Sequence, residues 1–345
     1  MDTKPAASLL VFLSALITIA SCDNCVVGER KLNLRKGIDK LNKLVNKYLC
    51  DDADINVDLC THATLLHFFR FVGNDSDLQI QENRFENFQP LVKVFKSKCK
   101  PVILAVGLDP DGLSAARFSA IASKEESRNV FVNLVIQVIE NFNLDGLLLN
   151  WQYPVFWENN LIGKRSPYDG VNYVQLAENL SKKLKAKNKI LQGFSTNDAA
   201  FYMYFDFKKL DRFIDYWLLP AYHFEGPWSV MTAISSSYLR ADLMLLNHLK
   251  ILPPEKILLG IPTHYLPVVV DSTVKKIRLS SRLKASFTPN QQLSTFRQLC
   301  EQAAKGGLTV VHNESSTVNS YAFLKNDFVS FESSISAVNK VAHTC

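Results

Sequence analysis

The stretch 145–154, DGLLLNWQYP, brings amide and ring side chains together at the end of an apolar run. Alternate side chains of a strand share a face, so Leu148, Asn150 and Gln152 are expected to point to the same side. The amides of Asn150 and Gln152 donate and accept hydrogen bonds, but neither has a proton to transfer at any useful pH. These residue types suit the binding of a polar ligand better than acid–base catalysis.

Other reactive groups are sparse. His223 and His264 follow apolar runs and are expected at strand ends. A zinc site needs at least three protein ligands, and the sequence supplies no third one. No Ser-His-Asp or Cys-His arrangement can be assembled from the spacing. We therefore expect no metal, no cofactor and hydrogen-bonded histidines.

The elements that position these residues alternate between short apolar runs and amphipathic helices. Strands are predicted at 101–107, 144–151, 189–195, 213–222 and 256–262, and helices at 126–143, 172–187 and 238–250. Repeated βα units imply parallel strands with helices outside, as in a doubly wound sheet or a (β/α)8 barrel. The number of units favours the barrel, and no Gly-rich fingerprint supports the nucleotide-binding sheet.

The pattern changes after residue 262. Residues 268–287 are β-like, basic and non-helical, which predicts a small α+β insertion lobe. We expect a barrel formed by residues 23–265 and 335–345, with the lobe at 266–334. The run VKKIRLSSRLK in this lobe mixes apolar and basic residues, and its expected partner is an acidic glycan or a receptor protein.

The first 22 residues are typical of a secretory signal peptide. Lys4 precedes an apolar run at 6–20, and Ala20 and Cys22 are small enough for a cleavage site. This run of 15 residues is short for a membrane span. We expect a secreted protein without membrane insertion.

Export changes what the other cysteines imply. Six remain after cleavage, an even number in an oxidising compartment, so up to three disulfides are expected. The candidates are Cys25, Cys50, Cys60, Cys99, Cys300 and Cys345. N-glycosylation sequons begin at Asn74, Asn179 and Asn313.

Several segments together resemble the family 18 glycoside hydrolases, the chitinases. DGLLLNWQYP is similar to that family's fourth-strand pattern, DGxDxDWEYP. CTH before ATLLHFF resembles the second strand, LAVG the third, IDYWLLPAYHFEGPW the sixth and LLGIP the seventh. YAF and FVSFESSISAVNK resemble the end of the insertion and the helix after it. The resemblance covers residues 60–340 and implies a TIM-type (β/α)8 barrel with a lobe after strand 7.

The resemblance also implies three acids on the fourth strand, where this sequence has Leu148, Asn150 and Gln152. In that family the substrate's N-acetyl carbonyl attacks the anomeric carbon, and a glutamic acid protonates the leaving oxygen. Loss of a general acid costs about 10²–10⁴ in rate. We therefore expect a catalytically inactive chitinase-like protein, similar in its glutamine to arthropod chitinase-like growth factors.

The binding positions implied by the resemblance are partly retained. Tyr222 and Trp228 match family positions that contact sugar, and we expect them to bind ligand together with Asn150 and Gln152. A tryptophan expected after the third strand is missing, and His223 stands in place of an aspartate. The tryptophans expected near the mouth are Trp151, Trp157, Trp217 and Trp228.

The last barrel strand and its floor tryptophan have no clear counterpart. Residues 306–314 are one alternative for that strand, although we favour their placement in the lobe. A barrel with its last strand lacking or modified follows, and exposed strand edges invite association.

Three functions remain open. The first is a lectin or signalling protein that binds N-acetylglucosamine-type glycans such as chitin or chito-oligosaccharides. The second is a protein-binding inhibitor or effector without sugar binding. The third is a residual hydrolase, for which Asp109 and Glu225 are the acids in neighbouring loops. The net charge of +6 is too small to indicate nucleic acid.

Overall fold

The fold is described from a computed structural model. It describes residues 60–65, 70–73, 79–81, 85–107, 115–154, 166–262, 265–284, 293–294, 296–311, 320–332, 336–337 and 340. The expected signal peptide, two of the sequons (Asn74 and Asn313) and three of the cysteines (Cys25, Cys50 and Cys345) lie outside these residues.

A curled parallel sheet forms the centre of the described part of the chain. With strands numbered along the sequence, its spatial order is β1 (Ala63–Leu65), β4 (Val102–Val106), β5 (Gly146–Leu149), β6 (Ile190–Phe194), β7 (Tyr216–Pro220) and β8 (Ile257–Gly260). A separate antiparallel pair joins β2 (Arg70–Val72) to β3 (Gln79–Gln81). The predicted parallel α/β arrangement is confirmed for these six strands.

Helices follow the strands as the apolar spacing predicts. They are α1 (Phe85–Ser97), α2 (Ala115–Ser123), α3 (Glu125–Asn141), α4 (Asp169–Lys185), α5 (Ala199–Tyr202), α6 (Phe207–Leu210), α7 (Tyr238–Leu249) and α8 (Phe296–Lys305), with a 3-10 turn at Pro254–Lys256. No helix in the described ranges has the length and apolar character needed to cross a membrane.

A second sheet is antiparallel. Its order is β10 (Thr309–Val311), β11 (Ser320–Leu324), β12 (Asp327–Phe331) and β9 (Val268–Val269). Val310 of β10 pairs with Ala322 of β11, so the segment considered for the last barrel strand belongs to this second sheet instead. The alternative that residues 306–314 complete the barrel is therefore wrong for β10.

Side chains of the parallel sheet divide between two apolar layers. Those on the inward face pack against one another across the curl and comprise Ile103, Ala105, Leu148, Phe194, Leu218 and Leu258. Their neighbours in sequence point the opposite way, and Leu147 and Leu149 pack with the helices that cover the outside. Because both faces are buried, most residues of the strands are apolar, as is usual for parallel sheets.

Two aspartates fasten the amino ends of the strands. The Asp145 backbone N–H donates to the Val102 carbonyl at 2.7 Å, and its Oδ2 accepts from the Val102 N–H at 2.8 Å. Asp215 repeats this arrangement with Leu191, at 2.8 Å for both hydrogen bonds. The aspartate of DGLLLNWQYP therefore has a structural role, at the opposite end of β5 from the amides.

Gly146 is required by the close approach of β5 to its neighbours. A Cβ on this residue would lie 2.4 Å from the Ile190 carbonyl oxygen and 2.9 Å from Ile103 Cδ1. A backbone oxygen paired within a sheet cannot move aside without breaking its pairing.

We predict that Gly146→Ala destabilises the fold by about 2–3 kcal/mol, because the added methyl overpacks the sheet. The matched control is Gly170→Ala in α4, where the nearest atom to the new Cβ is Tyr204 O at 3.4 Å. The control should be neutral or more stable by up to about 1 kcal/mol, since alanine favours helix. Urea denaturation measures the free energy of unfolding of both variants. Equal stability of the two would contradict the conclusion that the close approach of β5 to its neighbours requires glycine at position 146.

Candidate functional site

The carboxyl end of β5 carries the two amides. Leu148 belongs to the inward apolar layer, so alternation directs Asn150 and Gln152 to the same side. Asn150 is 2% exposed, and its Oδ1 accepts no hydrogen bond within the described structure. Its backbone N–H donates to Val106 O at 2.9 Å, which holds the end of β5 against β4. A buried amide oxygen without a donor is a ready acceptor for a ligand N–H or a water.

The close contact between these strand ends depends on Gly107. Its φ is +97°, a region that favours glycine, and a Cβ there would lie 2.1 Å from Asn150 O. This residue is the glycine that precedes the missing tryptophan in the predicted third-strand motif.

Hydroxyl groups gather where β5, β6 and β7 end. The Tyr153 hydroxyl is hydrogen-bonded to Thr196 and is within electrostatic range of the Asp198 carboxylate, and the Tyr222 hydroxyl is within electrostatic range of Tyr153. Asn197 Nδ2 donates to the Tyr222 carbonyl oxygen. The structure therefore brings Tyr222 into one cluster with residues at the ends of the two preceding strands.

Both tyrosines of this cluster are neutral at physiological pH. Burial raises the pKa of Tyr153. Its hydrogen bond with Thr196 acts in the opposite direction, and the Asp198 charge raises the pKa further. Burial, with a smaller contribution from Tyr153, raises the pKa of Tyr222 well above its ordinary value. Both hydroxyls therefore keep their proton, and a protonated hydroxyl can donate as well as accept hydrogen bonds.

Sequence reasoning missed Tyr153, Thr196, Asn197 and Asp198. The signal was present, since TND follows the predicted strand 189–195 and the carboxyl ends of parallel strands share one edge. The Tyr153 ring also stacks on Phe201 at 4.6 Å between centroids, so the start of α5 forms a wall of the cluster.

Trp228 is 64% exposed on a turn after β7. Its ring lies over Gly226, where a Cβ would come within 2.9 Å of three ring atoms. The turn is closed by Ser229 N–H to Gly226 O at 2.9 Å and by Ser229 Oγ to Glu225 Oε2 at 2.6 Å. Arg240 forms an ion pair with Glu225. One face of the indole is therefore fixed against backbone, which leaves the rest open to solvent.

This turn bears on the expected acids. The Glu225 carboxylate is engaged by Ser229 and Arg240, so it is committed to holding the turn. Asp109 lies outside the described residues, as does His264.

Deeper in the sheet, Gln192 of β6 contacts two residues: Thr64 of β1, and His62, which immediately precedes β1. Its Nε2 lies 3.0 Å from His62 Nε2, and Thr64 Oγ1 donates to its Oε1 at 3.5 Å. Because an amide nitrogen only donates, His62 Nε2 accepts and the ring is neutral. Burial lowers the pKa of His62, in agreement with a neutral ring.

The inward face of the six parallel strands therefore contains no carboxylate in the described residues. The alternation set by the apolar layer makes Thr64, Gln192 and Tyr216 the inward polar residues within the strands, and carrying it past the strand ends adds His62, Asn150, Gln152, Thr196 and Tyr222. All are neutral hydrogen-bonding groups, so the described face can orient a polar ligand but cannot donate a proton as an acid does.

Two tryptophans lie elsewhere than expected. Trp151 and Trp217 are completely buried in the outer apolar layer, where Trp151 stacks on Phe118 at 5.5 Å and Trp217 Nε1 donates to Asp211 at 3.1 Å. The prediction that they lie near the mouth is wrong, because Trp151 is one residue out of phase with Asn150. Trp157 lies outside the described residues.

A serine–histidine pair lies on the outer side of the sheet. Ser195 Oγ is 2.6 Å from His248 Nε2, and His248 Nδ1 is 2.8 Å from the Met244 carbonyl oxygen. Since that carbonyl requires a donor, Nε2 accepts from the serine. Both side chains are completely buried behind α7, so the pair has no access to a substrate and connects β6 to the helix.

The expectations on disulfides, glycosylation and metal ligands can be compared with the structure only for the described residues. Cys99 is exposed and Cys60 and Cys300 are half-buried, and no disulfide joins any two of these three. Asn179 is half-buried on α4, and Ser181, the serine of its sequon, is buried. Disulfides and glycosylation stay predictions. No three potential metal ligands come together in the ranges described.

Comparison with known proteins settles the family. Residues 39–345 match the sequence family described as glycosyl hydrolases family 18. The chain belongs to this family. Probable chitinase 10 of Drosophila melanogaster is 25% identical over 303 residues, which cover 81% of this chain and only 13% of that protein.

Solved structures of chitinases share the fold. Catalytic domain 2 of the Ostrinia furnacalis Group II chitinase has a TM-score of 0.72 at 21% identity, with 84% of this chain and 80% of that chain covered. A class V chitinase from Nicotiana tobaccum, a glutamate-to-glutamine mutant in complex with NAG4, has a TM-score of 0.68 at 19% identity, covering 84% and 86%. These likenesses confirm a TIM-barrel-like α/β fold.

His248 predicts a pH dependence of stability. Burial lowers its pKa to about 4, whereas the unfolded value is about 6.5. A histidine held neutral in the folded state stabilises the fold fully above pH 6.5, and that contribution is lost as the pH falls towards 4. Between pH 7 and pH 5 we expect a loss of about 2 kcal/mol from this group.

The measurement is urea denaturation at pH 7 and pH 5, with His248→Gln as the control. Carboxylates titrate in both proteins, so only the difference between their pH dependences reports on the histidine. The same pH dependence in both proteins would show that His248 does not titrate in this way.

Proposed function

We propose that this chain is a secreted, non-hydrolytic family 18 protein that binds N-acetylglucosamine oligomers at the carboxyl ends of its parallel strands. The observation that carries the proposal is that the inward positions of β5 and its carboxyl end, 148, 150 and 152, hold a leucine and two amides and no carboxylate. Secretion is included on the basis of the apolar N-terminal run.

The absence of hydrolysis is argued from the three inward positions of β5. Gln152 has no proton to give to a leaving oxygen, and Asn150 has no charge to offset a developing cation. Leu148 packs among side chains such as Phe194 and Leu218, which are the surroundings of a leucine and not of a carboxylate. A carboxyl group there would lose its hydration without gaining a partner.

Retained sugar binding is argued from complementarity. An N-acetyl group presents one N–H donor and one carbonyl acceptor. Asn150 Oδ1 is a buried acceptor in need of a donor, and Tyr222 keeps its hydroxyl proton. Trp228 offers an exposed ring face at the same end of the sheet. The class V chitinase mutant from Nicotiana tobaccum, which carries glutamine for one glutamate, was obtained in complex with NAG4, so that exchange is compatible with binding in that protein.

Isothermal titration with chitohexaose tests the binding, with cellohexaose as the sugar control. We expect saturable binding of chitohexaose, weakened about 10–100-fold by Trp228→Ala, because loss of a stacking ring removes on the order of 1–3 kcal/mol. Tyr216→Ala is the matched control, since that ring is 38% exposed at the amino end of β7. This control should bind as the unaltered protein does.

No heat at millimolar chitohexaose would reject the sugar-binding proposal. A protein-binding effector would then be the remaining function. Fluorescence is a poorer readout, because Trp151 and Trp217 are buried away from the site.

Leu148→Asp tests whether the barrel interior is adapted to leucine. We expect a loss of at least about 3 kcal/mol in the free energy of unfolding, because an unpaired carboxyl group enters an apolar layer. Leu148→Met conserves volume and should cost less than about 1.5 kcal/mol. Thermal denaturation compares the two, and a stable aspartate variant would show that the site still accommodates an acid.

Hydrolysis is assayed directly with a chromogenic chito-oligosaccharide. We expect no rate above background for the unaltered protein. Asp198 is the described carboxylate beside Tyr153, so activity that Asp198→Asn abolishes would instead establish the residual hydrolase.

A further inference from the structure

One segment of the lobe carries an unusual concentration of positive charge. Between residues 271 and 284 there are five cations and a single acid, Asp271, so this short segment holds most of the chain's net charge of +6. All five cationic side chains are exposed, namely Lys275, Lys276, Arg278, Arg282 and Lys284.

The apolar residues of the same segment are turned the other way. Leu283 is buried with Val268, Val270 and Phe328, and the partly buried Val274, Ile277 and Leu279 pack against this cluster. The mixed sequence is therefore a two-sided element, apolar towards the lobe and cationic towards solvent. We call the outward side, formed by the five cations, the lobe basic face.

The backbone beneath this face is fixed by hydrogen bonds on both sides. Asp271 N–H donates to Arg282 O and Lys284 N–H donates to Val269 O, both at 2.9 Å. On the other side, Leu283 N–H donates to Val230 O at 3.0 Å. Arg282 and Lys284 are thus presented from hydrogen-bonded backbone, which reduces the entropy cost of arranging these two cations on binding.

The charge of this face is not neutralised within the described structure. None of its five cations forms an ion pair with a described residue. The Asp271 carboxylate accepts from Thr273 N–H at 2.9 Å and Thr273 Oγ1 at 2.7 Å. These hydrogen bonds, with smaller contributions from Arg282 and Lys284, lower the pKa of Asp271.

The basic runs at the amino ends of the parallel strands differ in this respect. Several of their lysines lie against acids: Lys96 and Lys189 against Asp145, Lys187 against Glu140 and Lys185 against Asp215, at 2.5–3.9 Å. Charge that is balanced locally needs no partner, whereas five exposed cations beside a single acid, Asp271, leave an excess of positive charge that attracts an anionic partner.

We propose that the lobe basic face binds an acidic linear polysaccharide through its sulfate or carboxylate groups. Arginine presents a fork of donors that matches these planar or tetrahedral anions. Arg282 and Lys284 are two residues apart on an extended segment, so they face the same way about 7 Å apart and suit successive anionic groups of a chain. The exposed apolar margin, Val230 and Met231, is too small for the core of a protein interface.

The probe is heparin, titrated at 0.15 M NaCl and over a range of salt concentrations. The test variant is Arg278→Glu with Arg282→Glu and Lys284→Glu. We expect at least a tenfold loss of affinity. We also expect the slope of affinity against salt concentration to fall by about three counterions, since each protein cation that is lost means that one counterion fewer is released on binding. The matched control reverses three exposed lysines elsewhere, Lys182, Lys183 and Lys208, and should lose less than twofold.

A milder variant guards against misfolding. Lys275→Gln with Lys276→Gln leaves the paired backbone untouched and should weaken heparin binding about threefold. If the test and control variants lost equal heparin affinity, the loss would reflect net charge alone, and the proposal would be overturned. Failure of the unaltered protein to bind heparin, or equal competition by poly-L-glutamate per charge, would overturn it as well.

The proposal is independent of chitin binding. The lobe variants should bind chitohexaose normally, and Trp228→Ala should bind heparin normally. Failure of one proposal therefore leaves the other standing.

Discussion

The alternation of side chains along β5 is the constraint on which the rest of this structure depends. The strand is buried on both faces, so each residue must suit either the inward layer or the helices outside. Leu147, Leu149 and Trp151 pack against the helices outside, so positions 148, 150 and 152 face the inward layer. A shift of one residue would place a tryptophan where the amides now lie. The position of the site follows from this parity before any chemistry is considered.

Neutral hydrogen bonds dominate the carboxyl end of the sheet, whereas charges dominate its amino end. Asp145 and Asp215 bind backbone amides there and are surrounded by lysines. At the other end, the two tyrosines are kept protonated by burial, and Asn150 and Gln152 are neutral by composition. A ligand at this end is selected by the direction of its donors and acceptors, with little pH dependence in the neutral range.

Much of the fold could be predicted from the sequence because burial leaves a periodic trace. The five predicted strands and three predicted helices all occur. The strands have shorter bounds, since the apolar runs extend into the turns, whereas α4 begins three residues before the predicted start at 172. The antiparallel placement of β10 could not be read from its own residues, because TVV suits either sheet. Only its pairing with β11 decides the matter.

The site was predicted less completely. Leu148, Asn150 and Gln152 followed from strand parity, and Tyr222 from its motif. Tyr153 and Asp198 were missed, because strand ends that are distant in sequence bring them together and the edge signal names no individual residue. The Ser195–His248 pair joins residues 53 positions apart, and no spacing rule indicates it. Trp217 was misplaced because a motif states which residues are present and not which face they occupy.

The two aspartate clasps have an evolutionary consequence. They hold neighbouring strands together at the end of the sheet remote from the amides, and effects of substitutions at such separated, independent sites are nearly additive. Residues at the carboxyl end can therefore drift while the register of the strands is kept. A lineage with this architecture can exchange one ligand or activity for another without first becoming unstable, provided that its clasps and Gly146 persist.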